Sequence, residues 1–152
     1  MKVNLAHEEL RQSLSGLDQE ALSKPMAPDK WPIRDMLAHL IYWNQFCLDY
    51  VQERVAGGNP AGFPSESDTD RLNREAAELW AGHSPEQLLE ELNRIRQNTV
   101  DLIEAIGPEG VKEKWQYGDN QETGVGEFID SFAGHQLYHC RQIRGWRAEN
   151  KF

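Results

Sequence analysis

Three of the five histidines in this chain stand where an imidazole can do chemistry: His39 in Trp31-Pro-Ile-Arg-Asp-Met-Leu-Ala-His39-Leu, and His135 with His139 in Gly134-His-Gln-Leu-Tyr-His139-Cys. Each lies on a stripe that is otherwise apolar. An imidazole placed among Met, Phe and Trp needs partners for its ring nitrogens, because each unsatisfied buried group costs about 1–3 kcal/mol. A divalent metal would satisfy all three rings at once. Residues four apart on a helix share a face about 6 Å apart, so His135 and His139 suit two neighbouring positions around one ion, and His39 supplies a third from a facing helix. Three imidazoles leave at least one coordination position open, which is the arrangement of a catalytic metal rather than a closed structural one. Imidazole ligands suit zinc, nickel, copper and iron, so the residues indicate a first-row transition metal without choosing among these.

The elements that must position these rings are helical. Val125, Phe128, Phe132, His135, His139, Gln142 and Trp146 recur at alternating steps of three and four, the seam of a helix packed in a bundle. Met36, His39, Trp43, Phe46 and Tyr50 repeat that pattern after Pro32, and Leu88, Leu92, Ile95, Thr99, Leu102 and Ile106 repeat it again. That third long helix opens on the capping box Ser84-Pro-Glu-Gln87 and is expected to stop at Gly107-Pro108. A first helix is marked by Val3, His7, Leu10, Leu14, Leu17 and Ala21, and is expected to run until just before Pro25.

The expected fold is therefore all-α, a single domain over residues 1–152. It is a four-helix bundle with a long crossover between helices two and three. That crossover comprises a Gly/Pro/Ser-rich loop at 56–67 and a short extra helix at 68–80. A second long connection at 107–124, with Trp115 and Tyr117 set to cover one end of the bundle, is where a lid is expected. No strand pattern is longer than Lys114-Trp-Gln-Tyr117.

Composition excludes several functions. A formal charge of -9, with no stretch that gathers Lys and Arg, argues against nucleic acid and against an anionic membrane surface. No apolar run approaches the roughly 18–20 residues that span a bilayer. The N-terminal stretch carries no apolar segment of the secretory kind, so a cytoplasmic location is expected. Cys47 and Cys140 are too few for a disulfide scaffold and read as core filler. His83, before the third helix, reads as a solvated loop residue, and His7 as a structural or exposed one.

Trp31-Pro-Ile-Arg-Asp-Met-Leu-Ala-His39-Leu together with Gly134-His135-Gln-Leu-Tyr-His139-Cys-Arg-Gln-Ile143 resembles the DinB/YfiT-like superfamily over nearly the whole chain. That resemblance implies a four-helix bundle with a long connection between helices two and three. It also implies a metal held by His39, His135 and His139, the three positions that match the superfamily's ligands. Asp70-Arg-Leu-Asn73 followed by Ser84-Pro85 is similar to the subgroup that includes the ClbS/DfsB proteins. Relatives implied by the resemblance include thiol transferases that use bacillithiol or mycothiol, and thiol-dependent maleylpyruvate isomerases.

Around the expected metal, Trp43, Phe132, Tyr138 and Gln142 are candidates for the pocket or for contacts behind the ligands, with Asp35 one turn before His39. Gln142 is the sharpest of these, because an amide on an apolar seam needs a partner and a ligand imidazole would serve. Glu127, two turns before His135, reads as a surface or supporting group. No carboxylate is an evident general base.

Three classes of function follow. The leading one is a metal-dependent transferase or hydrolase that sets water or a low-molecular-weight thiol against a small electrophile, in detoxification or stress response. The second is non-catalytic sequestration of a metal or small ligand in the same cavity. The third is a structural bundle with internally paired histidines. A small-molecule substrate is the expected partner, and a homodimer is compatible with an acidic helical bundle.

Overall fold

The computed structural model describes residues 2–117 and 121–152. Its elements in chain order are α1 (Val3–Leu14), α2 (Gln19–Ser23), α3 (Ile33–Val55), α4 (Glu66–Trp80), α5 (Pro85–Lys112), β1 (Lys114–Gln116), β2 (Glu122–Gly124) and α6 (Val125–Asn150). The bundle consists of α1, α3, α5 and α6, and each of α1 and α3 packs on both α5 and α6. The crossover from α3 to α5 carries α4, which lies against α3. The four-helix bundle and its crossover are thus as the hydrophobic periodicity predicts. None of the described helices is long and apolar enough to cross a membrane.

Local chemistry accounts for the departures. The expected first helix is two, because Gly16 takes φ 81°, a left-handed conformation that suits glycine. Asp18 then restarts the chain as α2 by accepting a hydrogen bond from the backbone N–H of Ala21 at 2.9 Å. In α5 the helix breaks where expected, at Gly107 with φ 70°, but resumes to Lys112. Pro108 lacks an N–H to bond backwards, yet its fixed φ suits the first turn of a new helical segment. The crossover helix begins at Glu66, two residues earlier than expected, because the Ser65 hydroxyl accepts from the N–H of Asp68 at 3.3 Å.

Lys114–Gln116 is the strand that the sequence suggests, and it pairs antiparallel with β2, which three residues of Glu-Thr-Gly do not announce. Gly118, Asp119 and Asn120, at the tip of the expected lid, lie outside the described residues. Trp115 and Tyr117 sit over one end of the bundle, packed against Tyr50 and Phe128.

The core divides in two. One cluster is largely aliphatic, with Leu10, Leu22, Ile33, Leu37, Leu40, Leu88, Leu92, Ile95 and Ile143 all essentially without solvent contact. The other is aromatic and gathers Tyr50, Trp115 and Phe128 with Val51, Val125 and Ile129. Both cysteines are free and buried. Burial pushes the Cys47 thiol up and that of Cys140 up to about 11, so neither presents a thiolate at neutral pH.

Candidate metal centre

His39 descends from α3, and His135 and His139 from consecutive turns of α6, so the contact between those two helices brings the three rings together. His135 Nε2 stands 3.0 Å from His39 Nε2 and 3.0 Å from His139 Nε2. His39 and His139 are almost fully buried, at 8% and 9% exposure, while His135 faces a cavity.

The proton positions follow from the neighbours. The Trp43 indole N–H can only donate, and it donates to Asn73 Oδ1 at 2.9 Å. The same oxygen lies 2.8 Å from His39 Nδ1. His39 Nδ1 must therefore carry the proton and donate, leaving a lone pair on Nε2. On the other side, Nδ1 of His139 donates to Gln142 Oε1 at 2.7 Å, and Gln142 Nε2 donates to the Tyr138 hydroxyl at 3.1 Å. His139 Nε2 is likewise a bare lone pair. His135 Nε2 thus meets two acceptors, and a single proton there could serve only one of them.

A divalent cation resolves that conflict. Two nitrogens each bound at about 2.0–2.1 Å to one ion lie roughly 2.9–3.4 Å apart, and the observed 3.0 Å falls in that interval. Among the described residues this is the one group of three or more His, Cys, Asp or Glu side chains close enough to hold a metal.

Electrostatics agrees with the geometry. Burial holds His39 down to about 4, with the Asn73 hydrogen bond opposing and His139 adding to the lowering. Burial, reinforced by the other two rings, holds His135 down to about 3. His139 is lowered by burial too, with Gln142 opposing. The rings are neutral at pH 7, the protonation state in which imidazole binds metal.

Beside the rings lies a cavity of about 710 Å³. Trp43, Phe63, Tyr117, Phe128 and Phe132 supply its apolar wall, and His39 and His135 close one end. Phe63, from the crossover loop, stacks on Trp43 at 4.9 Å between ring centres. The hairpin contributes Gln121, Glu122 and Thr123, so the segment expected to act as a lid forms part of the wall.

Trp43 and Phe132 therefore line the cavity, and Gln142 holds the His139 imidazole, although it is exposed rather than on the buried seam. Tyr138 is 51% exposed and reaches the site only through Gln142 and an edge contact with the His139 ring at 5.3 Å. Asp35 does not join the main cavity. It lines a separate hollow of about 320 Å³ with Trp31, Asp70, Asn73, Arg74 and Ala77, where burial raises its pKa. His83 is not a solvated loop residue: its ring packs on Trp80 at 4.6 Å and its Nδ1 is buried.

Sequence reasoning overlooks Asn73 as a supporting group, because the bonds that give it meaning cross from α4 to α3. It also overlooks the exposed Trp31, whose ring lies 5.2 Å from that of His39.

Comparison with known proteins agrees with this architecture. The family model of the DinB superfamily matches residues 3–143. The chain belongs to that superfamily. An uncharacterized protein of Bacillus subtilis strain 168, YuaE, is 27% identical over 149 residues, spanning 93% of this chain and 92% of its own. Among solved structures, YfiT from Bacillus subtilis, described as "a probable metal-dependent hydrolase with an unusual four-helix bundle topology", superposes with a TM-score of 0.80 at 14% identity, covering 99% of this chain and 85% of its own. An uncharacterised protein from Escherichia coli UTI89 superposes with a TM-score of 0.81 at 18% identity, covering 99% of this chain and 91% of its own. At such identities the likeness to the two solved structures is one of fold.

Proposed function

We propose that this protein is a divalent-metal-dependent enzyme of the hydrolase or transferase type that acts on a small electrophilic molecule, with His39, His135 and His139 as the metal ligands. The observation that carries this reading is the convergence of the three Nε2 atoms, two of them fixed as lone pairs by Asn73 and Gln142. The fitting metals are zinc, nickel and iron. When bound, such an ion supplies Lewis-acid activation of a water, thiol or carbonyl at its open position.

The residues of the chain do the rest. Asn73 and Gln142 hold two rings in the ligating tautomer, the role that hydrogen-bonded partners play behind metal-bound histidines. The aromatic wall excludes water from one side of the reacting centre and buries the apolar body of a substrate. Water is favoured over a carboxylate-bearing thiol such as glutathione, because the cavity lining among the described residues holds no lysine or arginine to receive those carboxylates. Thiol transfer is the second reading, and it uses the same three ligands.

The test is turnover. Zinc-, nickel- and iron-loaded protein is presented with aryl esters, lactones and epoxides, with and without low-molecular-weight thiols. Hydrolysis that chelation abolishes and that His135→Ala lacks is the expected result. Turnover only with a thiol would replace hydrolysis by transfer. Tight binding of metal and electrophile without turnover across the panel would overturn the enzymatic reading in favour of sequestration.

A further inference from the structure

Glu127, Ser131 and His135 stand at successive steps of four on α6, and all three line the cavity. Eight residues of helix rise about 12 Å. The cavity is therefore polar at both ends, with the histidine cluster at one end and a carboxylate two turns away at the other. Between them run Phe128 and Phe132 on the same helix, with Trp43, Phe63 and Tyr117 opposite.

Charge at the far end has one sign. The lining among the described residues includes two carboxylates and no lysine or arginine. Glu122 is engaged loosely by Lys114 across the hairpin, at 3.7 Å. Glu127 forms no ion pair among the described residues, and its Oε2 accepts only a long bond of 3.4 Å from the N–H of Gly124. Aromatic faces attract cations through the ring quadrupole, most strongly where water is excluded, so the wall and the carboxylate favour the same kind of group.

Resting on the metal-site reading above, we infer that the substrate is an elongated molecule with an aromatic or other apolar body and an ammonium group. Its ammonium end faces Glu127, and its electrophilic group lies at the histidine cluster. Ser131, midway along the ladder, lies beside the apolar body. Its hydroxyl already donates to the carbonyl of Phe128 at 2.6 Å, so it contributes shape rather than a free donor. Anionic molecules of the same size find no counter-charge at the Glu127 end of this cavity.

Binding of three probes with one 4-phenylbutyl body tests this: the trimethylammonium, alcohol and sulfonate derivatives, titrated calorimetrically into the full-length protein before and after zinc loading. In the metal-free protein the expected order of affinity is ammonium, alcohol, sulfonate, with the ammonium compound about 5-fold tighter than the alcohol, and zinc loading should leave the ammonium compound ahead of the alcohol. Glu127→Gln keeps an oxygen for the Gly124 N–H and should reduce that advantage to about 2-fold or less. Ser131→Leu fills the middle of the cavity and should weaken all three probes, with a thermal melt showing that both variants fold. Equal affinities, a preference for the sulfonate, or an ammonium advantage that Glu127→Gln leaves at about 5-fold would overturn the inference. Zinc stoichiometry is measured on the same samples. A protein that ranks the probes as expected but holds no zinc contradicts the metal reading alone, whereas one that holds zinc but does not rank them contradicts this inference alone.

Discussion

The aliphatic and the histidine-bearing regions of the bundle share α3 and α6 and solve opposite problems. In the first, α1, α3, α5 and α6 interdigitate Leu10, Leu37, Leu92 and Ile143, each at 2% exposure or less. In the second, α3 and α6 carry imidazoles and aromatic rings at the same steps of three and four, but their neighbours do not close over them, and about 710 Å³ is left open. Burying a leucine contributes roughly 1.5–3 kcal/mol. Burying a neutral imidazole with its lone pair facing two others contributes little until a cation arrives. The difference teaches that the aliphatic end supplies the stability with which the other end holds an arrangement that is unfavourable when empty of metal.

Breaking each region should give opposite signatures. The largest effect on folding is expected from Leu92→Ala or Ile143→Ala, about 2–5 kcal/mol by chemical denaturation, from lost burial and the cavity left behind. Metal content of the folded fraction should be unchanged. His135→Ala should do the reverse, abolishing metal binding while leaving the metal-free protein within about 1 kcal/mol of the original, because it removes the ring that meets two lone pairs.

Asn73→Ala should sharpen the contrast. It releases both His39 and Trp43 and is expected to weaken metal affinity about 10–100-fold, as measured by competition with a chelating dye. Asn73→Asp retains an acceptor and should restore most of that loss. Gln142→Ala should cost less, because Gln142 is exposed and water can replace its carbonyl oxygen.

The smallest effect per residue is a pH dependence from the histidine region, to which His7 on α1, also lowered by burial, adds. Folding holds the three imidazoles below their ordinary value of about 6.5, so the unfolded chain takes up protons first as the pH falls. The corresponding stability is complete above about pH 6.5 and is lost as the pH drops toward the folded values, about 4 for His39 and about 3 for His135. Between pH 7.5 and 5.5 His39 and His135 should each cost metal-free protein about 1.4 kcal/mol, with His139 acting in the same direction. His135→Gln should lower that loss by one histidine's share. An unchanged slope would show that the ring is not held neutral by burial.

The sequence reveals what lies along a single helix and conceals what passes between helices. The seams through His39 and through His135 and His139 place the rings inward without any knowledge of packing, and the capping box at Ser84 marks the start of α5. Gln142 is legible because it is one helical turn from His139. Asn73 is not, since its value comes from an oxygen shared by Trp43 and His39 on another helix. Asp35 shares a helix with His39 and still turns to a different hollow. The break in the first helix is written in Gly16 and Asp18 but outweighed by the apolar period that runs through it. Glu127 reads as an ordinary surface acid until Phe63 and Tyr117, from two distant segments, complete a cavity beside it.

The central claim is that three imidazole lone pairs converge to hold one divalent ion, and metal content tests it most directly. Plasma mass spectrometry on untagged protein, beside the His135→Ala/His139→Ala double variant, should find close to one equivalent of a first-row transition metal in the original chain and background in the variant. Background metal in both, even after reconstitution with zinc, nickel, manganese and iron, would contradict the claim and leave a helical bundle with a buried histidine cluster.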